Sequence, residues 1–469
     1  MYLFLILLFV VQQWTTPVRV SPDSLDDTHP AICIDDVGFV WVYWYNSNHL
    51  WTRCYRPFGG WSEVFLIDTA KCKIPQVTTS SACKGTYEIP DWIIAWVDSS
   101  SYIRLSLCDM MPPGPAWYTT PPDSRIMGYN PAITSDTAGN IWCVWADGGC
   151  YMASCYDGTQ WSDLDTLQKF PTTDTLETFT AGITTNHEGN IWVAYNGGVI
   201  WAQYWDGANW STPETLSVGY AGSAYTYPML CSDSQKVWIA WLNSVFGNWK
   251  ILCRYHNGME WSEIIEFPLV SDTLGGYHNP HQAICLDNQG RLWAGWWEET
   301  WIEMLHYIII GGSYSSGTWD DTAVVDYYYG ACGGYPSIAY GDNKVWMVWQ
   351  SEKEGDYNIY GSYTEVTGVE DTIPISMDFA LLQNYPNPFN TLTSIRYVLP
   401  NDSYVELTVY GIQGHLVRRL TDGWKPSGIH SVGWDGKDEW GRDVGSGIYF
   451  YQLKAAGGIK ITRKMVILR

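Results

Sequence analysis

Short apolar or alternating runs follow one another along most of the chain, separated by Gly, Asp and Asn. In one representative stretch, Ala132–Ser135 is followed by Ile141–Trp145 and then by Tyr151–Tyr156. Runs of this length with a period of two residues predict β-strands, and no long segment shows the 3.6-residue period of an amphipathic helix. The pattern therefore predicts an all-β protein.

The strand pattern is organised as an internal repeat of the form P-A-I-x-x-D-x-x-G-N-I-W-V-A-W. Clear copies begin at His29, Asn130 and His281, and weaker copies begin at Ile74, Thr180, Tyr227 and Tyr335. The matching positions are Trp41, Ile93, Trp142, Trp192, Trp238, Trp293 and Trp346, which are 46 to 55 residues apart. This period fits one four-stranded propeller blade, so the repeat predicts a seven-bladed β-propeller over residues 14–364.

Each unit is predicted to contain an inner strand a, strands b and c, and an outer strand d that starts near a Trp-Ser pair. Asp157-Gly158, Asp206-Gly207 and Asn257-Gly258 are typical of the tight turn between strands c and d. The seventh unit ends after strand c, whereas Trp14-Thr15 near the N-terminus matches Trp210-Ser211. We therefore expect the N-terminal segment to supply the missing strand, which would leave no open sheet edge.

The D-x-x-G-x-x-W signature resembles the repeats of sialidase-like and two-component-regulator-type propellers. Asp136, Gly139 and Trp142 place the glycine three residues after the aspartate, which differs from the sialidase box S-x-D-x-G-x-T-W. Sialidases also bind their carboxylate substrate through an arginine triad, and arginine is scarce in this chain. The resemblance therefore implies a fold and does not transfer the sialidase activity.

The last 90 residues or so carry a second set of motifs in a fixed order. After a polar linker at residues 365–380, these include V-Y-G-I-Q-G from Val409, W-D-G from Trp434 and S-G-I-Y-F-Y from Ser446. With the opening Y-P-N-P-F-N they resemble the C-terminal sorting domain of type IX secretion cargo. That resemblance implies an immunoglobulin-like β-sandwich at residues 381–469, related to flagellar-hook-capping modules, and export across an outer membrane. The opening motif comprises Tyr385, Pro386, Asn387, Pro388, Phe389 and Asn390.

The alternation of Val405, Leu407 and Val409 with polar neighbours predicts a half-buried strand in this module. Gly447 to Leu453 and Ile459 to Leu468 predict two more strands. The acidic stretch that begins at Asp435 misses the spacing of known calcium loops, so we interpret it as a turn.

The apolar run Tyr2–Val11 has the length of the apolar part of a secretory signal and is too short to span a bilayer. No basic residue precedes it and no small-x-small cleavage site follows, which leaves a hydrophobic first strand as the alternative. We interpret residues 1–13 as a signal segment because the C-terminal motifs independently imply export. The mature chain is then expected to lack a transmembrane segment and to be extracellular or on the outer-membrane surface.

Charge divides the chain into two parts. The part from Ser376 onward has 11 Lys and Arg and 8 Asp and Glu, which gives it a net charge of +3. The preceding part has a net charge of −26, so the whole chain has a net charge of −23. Such an acidic body repels nucleic acid and anionic membranes. Its expected partners are neutral glycans, cations or proteins, together with the type IX secretion machinery.

The 12 cysteines do not form a metal-ligand spacing. Cys33, Cys231 and Cys285 recur at one phase of the repeat, as buried apolar residues would. Cys72 with Cys83 and Cys150 with Cys155 are the pairs close enough in sequence to close a hairpin by a disulfide. The sequence predicts no metal and no cofactor, because it contains no phosphate-binding loop, zinc motif or dinucleotide fingerprint.

The predicted strand order places the b–c and d–a connections, which vary in length, on one face of the propeller. Variable loops on a rigid scaffold are where binding residues concentrate. Carboxylates beside aromatic rings could hold a sugar, or serve as acid and base in its cleavage. For each residue, a purely structural role is the alternative. The expected ligand-binding residues are His29, Asn130, Tyr227, His281, Tyr335 and Trp297, and the candidate catalytic residues are Asp98, Asp147 and Glu298.

Two functions follow as hypotheses. The first is a secreted or surface-attached propeller that binds a glycan or a protein without catalysis. The second is a secreted glycoside hydrolase or polysaccharide lyase that uses the three carboxylates. Propellers host both, so the sequence leaves the question of an enzyme open and favours the binding protein.

Overall fold

The computed structural model describes most of the chain from Trp14 to Ile467, with gaps. The described residues are 14–22, 26–34, 38–46, 49–56, 60–68, 72–80, 92–98, 100–111, 114–120, 123–169, 180–217, 227–245, 248–268, 282–302, 304–315, 317–329, 333–366, 380–381, 384, 389, 393–399, 401–425, 428–455 and 458–467. They contain β-strands and turns and no α-helix, so none of them belongs to a helix that could cross a membrane. The prediction of an all-β protein is confirmed.

The first of two compact units includes residues 14–109 and 116–367 and is built from sheets 1 to 7. The short strand β1 spans Val18–Arg19. Sheet 1 contains β2 (Asp27–Ile34), β3 (Val40–Asn46), β4 (His49–Arg56) and β5 (Gly60–Asp68). Sheet 2 contains β6 (Cys72–Ser80), β7 (Trp92–Asp98), β8 (Ile103–Met111) and β9 (Gly114–Thr119). Sheet 3 contains β10 (Tyr129–Ser135), β11 (Ile141–Asp147), β12 (Cys150–Tyr156) and β13 (Asp165–Lys169).

The remaining sheets of this unit repeat the arrangement. Sheet 4 contains β14 (Ala181–Thr185), β15 (Ile191–Asn196), β16 (Ile200–Trp205) and β17 (Glu214–Thr215). Sheet 5 contains β18 (Met229–Ser232), β19 (Val237–Val245), β20 (Asn248–His256) and β21 (Ile265–Glu266). Sheet 6 contains β22 (Gln282–Leu286), β23 (Leu292–Ile302), β24 (Met304–Ser315) and β25 (Thr318–Tyr329). Sheet 7 contains β26 (Gly333–Gly341), β27 (Lys344–Ser351), β28 (Asn358–Glu365) and β1.

The described residues of this unit thus form seven antiparallel sheets of four strands, and in six of them the strands follow chain order. The first strand of each sheet lies against the first strands of two other sheets. These contacts run from β2 through β6, β10, β14, β18, β22 and β26 and return to β2. The first strands therefore close a circle, as the innermost strands of a propeller do.

Sheet 7 is completed by the N-terminal segment, as the Trp14-Thr15 match predicted. Tyr363 donates its backbone N–H to Thr15 Oγ1 at 3.0 Å, and Ile359 donates to Ser21 Oγ at 3.0 Å. In sheet 4 the same bonds join Tyr204 to Ser211 Oγ and Ile200 to Ser217 Oγ, also at 3.0 Å. Residues 14–21 therefore hold the place in sheet 7 that residues 210–217 hold in sheet 4, and the prediction is confirmed.

The core lies between neighbouring sheets. Trp44, Val42 and Val40 of sheet 1 form one buried cluster with Trp346 and Val348 of sheet 7. Equivalent clusters join sheets 2 and 3, 3 and 4, 4 and 5, 5 and 6, and 6 and 7. Both faces of sheets 3 to 7 are therefore covered, which explains why their strands read as nearly continuous apolar runs.

The turns between the first two strands of a sheet are fixed by one acidic or amide side chain. Asp287 Oδ1 accepts the backbone N–H groups of Gln289 and Arg291, at 2.9 and 3.0 Å. Its Oδ2 accepts from Arg291 Nε at 2.7 Å and from Trp293 Nε1 at 2.9 Å. Asp136 binds its own turn and Trp142 in the same way. In the D-x-x-G-x-x-W signature, the aspartate thus stabilises the turn by hydrogen bonds and also orients a core tryptophan.

The second unit covers Gly368–Arg469 and is a two-sheet sandwich. One sheet contains β29 (Ala380–Leu381), β30 (Thr393–Leu399) and β33 (Gly428–Trp434). The other contains β31 (Ser403–Gly411), β32 (Leu416–Lys425), β34 (Gly447–Ala455) and β35 (Ile459–Ile467), in the order β32-β31-β34-β35. The strands expected around Val405, Gly447 and Ile459 are all present.

The two sheets of this unit share one apolar core. Val405, Leu407 and Val409 are fully buried in it, together with Tyr397 and Trp434 of the facing sheet. Asp435 lies in a turn, where its Oδ1 accepts from Arg418 Nη1 at 2.6 Å and from the backbone N–H of Lys437 at 3.1 Å.

Candidate functional site

The strand register brings the expected binding positions to one end of each sheet. Thr28 pairs with Tyr45 in sheet 1, Tyr129 pairs with Ala146 in sheet 3, and Gly334 pairs with Gln350 in sheet 7. The start of the first strand and the end of the second strand therefore lie side by side. This is the end of the sheets at which the b–c and d–a connections lie.

An unusual backbone conformation recurs at this end. The residue before the proline of the first strand has a positive φ in four sheets: 52° at His29, 54° at Asn130, 28° at Tyr227 and 51° at Tyr335. In sheets 1, 3 and 7 the register also shifts at this point, which marks a β-bulge. A left-handed conformation is uncommon for bulky residues and is disfavoured before proline. Each such residue stores about 1–3 kcal/mol of strain.

The side chains at these strained positions differ while the scaffold around them repeats. The repeat unit offers His29, Asn130, Tyr227 and Tyr335, and Thr180 at the same position of sheet 4. Asn130 and Thr180 are buried, whereas His29, Tyr227 and Tyr335 keep part of their surface exposed. We call these five residues the mouth ring. A varied residue on a repeated scaffold is the pattern of a binding surface.

Neighbouring members of the mouth ring touch across the boundary between sheets 1 and 7. The rings of His29 and Tyr335 lie 4.6 Å apart between centroids, at an interplanar angle of 49°. The backbone N–H of His29 donates to Gln350 Oε1 at 2.8 Å. On the other side of the circle, Gln282 Nε2 donates to the carbonyl oxygen of Tyr227 at 2.6 Å. Two glutamines therefore hold the strained backbone from the adjoining sheet or strand.

Burial sets the charge of His29. Loss of solvation lowers the pKa of its imidazole to about 4, so the ring is neutral at neutral pH. Its Nδ1 is buried and has no hydrogen-bond partner among the described residues. The buried hydroxyl of Thr180 is likewise without a partner in that part of the chain. The mouth ring thus presents uncharged polar groups and aromatic rings.

Trp297 lies behind the mouth ring. It is 5% exposed, and a Cβ at Gly334 would come within 2.9 Å of its Nε1. Gly334 has a φ of 141° and directly precedes Tyr335. The close approach of this backbone to the indole requires glycine, so the packing of Gly334 on Trp297 positions the backbone of the next residue, Tyr335.

The three candidate carboxylates lie on different sheets and in different surroundings. Asp98 Oδ1 accepts the backbone N–H groups of Ser100 and Tyr102, and its Oδ2 lies 3.3 Å from Arg104 Nη1. Glu298 is fully buried, and its Oε1 accepts from Trp296 Nε1 at 2.9 Å. Asp147 is exposed at the end of β11. Asp98 acts as a turn cap here, and Asp147 is the candidate that faces solvent.

Several predicted residues lie outside the described part of the chain. These are His281 and, in the opening motif of the C-terminal module, Tyr385, Pro386, Asn387, Pro388 and Asn390. Phe389 is described: it is 3% exposed, and its ring lies 5.5 Å from that of Trp434. Cys83 is also outside, whereas Cys150 and Cys155 are free thiols on β12.

Gln350, Gln282 and Thr180 are not among the predicted site residues, although Thr180 shares the repeat position of His29 and Asn130 on the candidate face. The repeat phase points to Thr180, because it stands where the other copies have His, Asn or Tyr. Nothing in the local sequence marks the two glutamines, since their partners are backbone groups more than 50 residues away.

Residues 390–458 match the family model of the FlgD Ig-like domain. No curated protein has a significant match to the sequence. Among solved structures, the chain is similar to AofleA from Arthrobotrys oligospora, at 11% identity over 67% of this chain and 92% of that one, with a TM-score of 0.45.

The fungal lectin of Aleuria aurantia, described as a six-bladed β-propeller with a novel fucose recognition mode, is similar over 66% of this chain and 97% of its own. Its identity is 11% and its TM-score 0.40. The NanB sialidase of Streptococcus pneumoniae is 9% identical, covering 76% of this chain and 71% of its own, with a TM-score of 0.40. The chain is thus an all-β protein with propeller-like structural neighbours and an immunoglobulin-like domain at its C-terminus.

Proposed function

We propose that the seven sheets form a seven-bladed β-propeller that binds a glycan at the mouth ring without cleaving it. The observation that carries the proposal is the recurrence of a strained, varied residue at the start of the innermost strand in four sheets. Backbone strain of this kind concentrates where binding or catalysis requires it. Aromatic rings beside uncharged hydrogen-bonding groups are what a saccharide contacts in a binding site.

The surroundings of the carboxylates favour binding over hydrolysis. A glycosidase needs two carboxyl groups on either side of the scissile bond. Asp98 is occupied by two backbone amides and Arg104, and Glu298 is fully buried beside Trp296. Asp147 alone of the three is exposed. A single exposed carboxylate suits hydrogen bonding to a sugar better than paired acid and base chemistry.

The test is a glycan-array screen of the full chain, run beside an assay for new reducing ends on the same polysaccharides. Binding without release is the expected result. If new reducing ends are released, and this release is lost in Asp147→Asn or in Glu298→Gln, the protein is a glycoside hydrolase or lyase and the proposal of binding without cleavage is wrong. Silence in both assays would contradict glycan binding and direct the search to a protein partner.

We further propose that the protein is secreted or attached to the outer-membrane surface through its C-terminal module, by type IX secretion. The order of separated motifs from Tyr385 to Val466 supports this, as does the apolar run at Tyr2–Val11. The test is expression in a bacterium that has type IX machinery, with and without residues 381–469. We expect the full chain outside the cell and the shortened chain in the periplasm. Equal secretion of both would contradict the proposal.

A further inference from the structure

The boundary between sheets 1 and 7 brings two mouth-ring residues into contact. His29 and Tyr335 occupy equivalent positions of β2 and β26, with φ values of 52° and 51°. Their rings lie 4.6 Å apart at 49°, and both side chains are partly exposed. Their backbones are held from behind, since Gln350 accepts the N–H of His29 and Gly334 packs on Trp297. Two tilted aromatic rings are thus presented on a rigid support.

The side chains that meet at this boundary are uncharged at neutral pH. His29 is neutral at neutral pH, and Tyr335 and Gln350 are uncharged. The cations Lys353 and Arg19 near these strand ends are both paired: Lys353 Nζ lies 2.9 Å from Asp326 Oδ2, and Arg19 Nη1 lies 3.1 Å from Glu354 Oε2. Asp27 is fully buried and accepts from Asn46 Nδ2 at 2.6 Å. An anionic ligand would need an unpaired cation, and these pairs offer none.

We propose that His29 and Tyr335 form the primary subsite of the mouth ring, and that it takes one uncharged pyranose ring. This inference rests on the glycan binding proposed above and narrows it to neutral sugars, excluding uronic and sialic acids. The apolar face of the pyranose packs on the Tyr335 ring, and its hydroxyl groups bond to the imidazole and to the phenol.

The residue at the equivalent position of another sheet suggests a substitution that should remove the aromatic contact without destabilising the fold. Asn130 holds the same strained position in sheet 3, and asparagine tolerates a positive φ as well as histidine does and better than tyrosine. Tyr335→Asn and His29→Asn should therefore fold at least as stably as the native chain while losing the aromatic contact. Met259→Ala, at a 93% exposed residue in the turn after β20, is the control substitution.

The experiment measures affinity by calorimetry for neutral oligosaccharides and for matched uronic and sialylated ones, at 50 and 500 mM NaCl. We expect neutral sugars alone to bind, with less than a twofold effect of salt, because no ion pair forms. Tyr335→Asn should weaken binding about tenfold or more at an undiminished melting temperature, and Met259→Ala should leave it unchanged.

The possible results distinguish three claims: that the subsite takes neutral sugars, that it lies at His29 and Tyr335, and that the protein binds glycans at all. Binding confined to anionic sugars with a steep salt dependence would overturn the neutral subsite and leave glycan binding standing. If the affinity for neutral sugars changes by less than threefold in both Tyr335→Asn and His29→Asn, the sugar binds elsewhere on the protein. An array on which nothing binds would overturn the proposed function together with this subsite.

Discussion

The indole of Trp14 meets that of Trp293 edge to face, with ring centroids 6.3 Å apart and an interplanar angle of 80°. The same geometry recurs in three other sheets, where the Trp of a Trp-Ser pair packs on a Trp of the second strand of the preceding sheet. The equivalent pairs are Trp61–Trp346 at 6.3 Å and 85°, Trp210–Trp142 at 6.1 Å and 84°, and Trp261–Trp192 at 5.8 Å and 86°. The N-terminal segment is therefore packed as a full member of the repeat.

Truncating Trp14 should open the boundary between sheets 6 and 7. The side chain is 3% exposed, and its ring lies so close to Gly311 that a Cβ there would come within 2.5 Å. Trp14→Ala is expected to lower the free energy of unfolding by about 3–5 kcal/mol, the usual cost of such a truncation. Urea unfolding followed by circular dichroism measures it. Trp440→Ala, at a tryptophan that is 76% exposed, should change stability by less than about 0.5 kcal/mol. Equal losses in both variants would contradict the burial of Trp14.

The hydroxyl of Thr15 should also stabilise the closure of sheet 7, by less than the indole of Trp14 does. Its Oγ1 accepts the backbone N–H of Tyr363, at the edge of β28, at 3.0 Å. Thr15→Val keeps the shape and leaves that donor unsatisfied, so a loss of about 1–3 kcal/mol is expected. Thr15→Ser restores the acceptor and should recover most of the stability. If valine and serine behave alike in the same unfolding assay, the hydroxyl has no role in closing sheet 7.

The repeat could be predicted from the sequence because its signals are local. Asp136 and Asp287 sit at turns whose spacing is written in the chain, and the alternation around Ile141 marks a strand. The left-handed backbone of His29 and Tyr335 could not be predicted, because a residue before proline favours an extended conformation. That conformation is imposed by the bulge and by distant partners such as Gln350 and Trp297. The candidate site is therefore visible in sequence only as a phase of the repeat.

The stability of the first unit should depend on pH through His29. Its pKa is lowered from 6.5 to about 4 by burial, so the unfolded chain binds a proton more readily than the folded chain. The free energy of unfolding therefore has its full value with respect to His29 above pH 6.5, and it decreases as the pH falls from 6.5 toward 4. The loss is on the order of 3 kcal/mol, since one pKa unit corresponds to about 1.4 kcal/mol.

The difference between the native chain and His29→Asn isolates this effect from the protonation of carboxylates. Urea unfolding at pH 7.5, 6.0, 5.0 and 4.0 should show the native chain losing stability relative to the variant as the pH falls. A constant difference across that range would mean that the imidazole is solvated in the folded protein.

Asp98 and Asp147 should separate a structural carboxylate from a functional one. The Asp98 side chain caps two backbone amides and pairs with Arg104 in a part-buried turn, so Asp98→Ala should cost about 2–3 kcal/mol of stability. Asp147 is exposed, so Asp147→Ala should leave the unfolding free energy within about 0.5 kcal/mol. Thermal melts and glycan affinity are measured on both. A reduced affinity in Asp147→Ala at native stability would add Asp147 to the binding surface, whereas a stable Asp98→Ala would contradict its role as a cap.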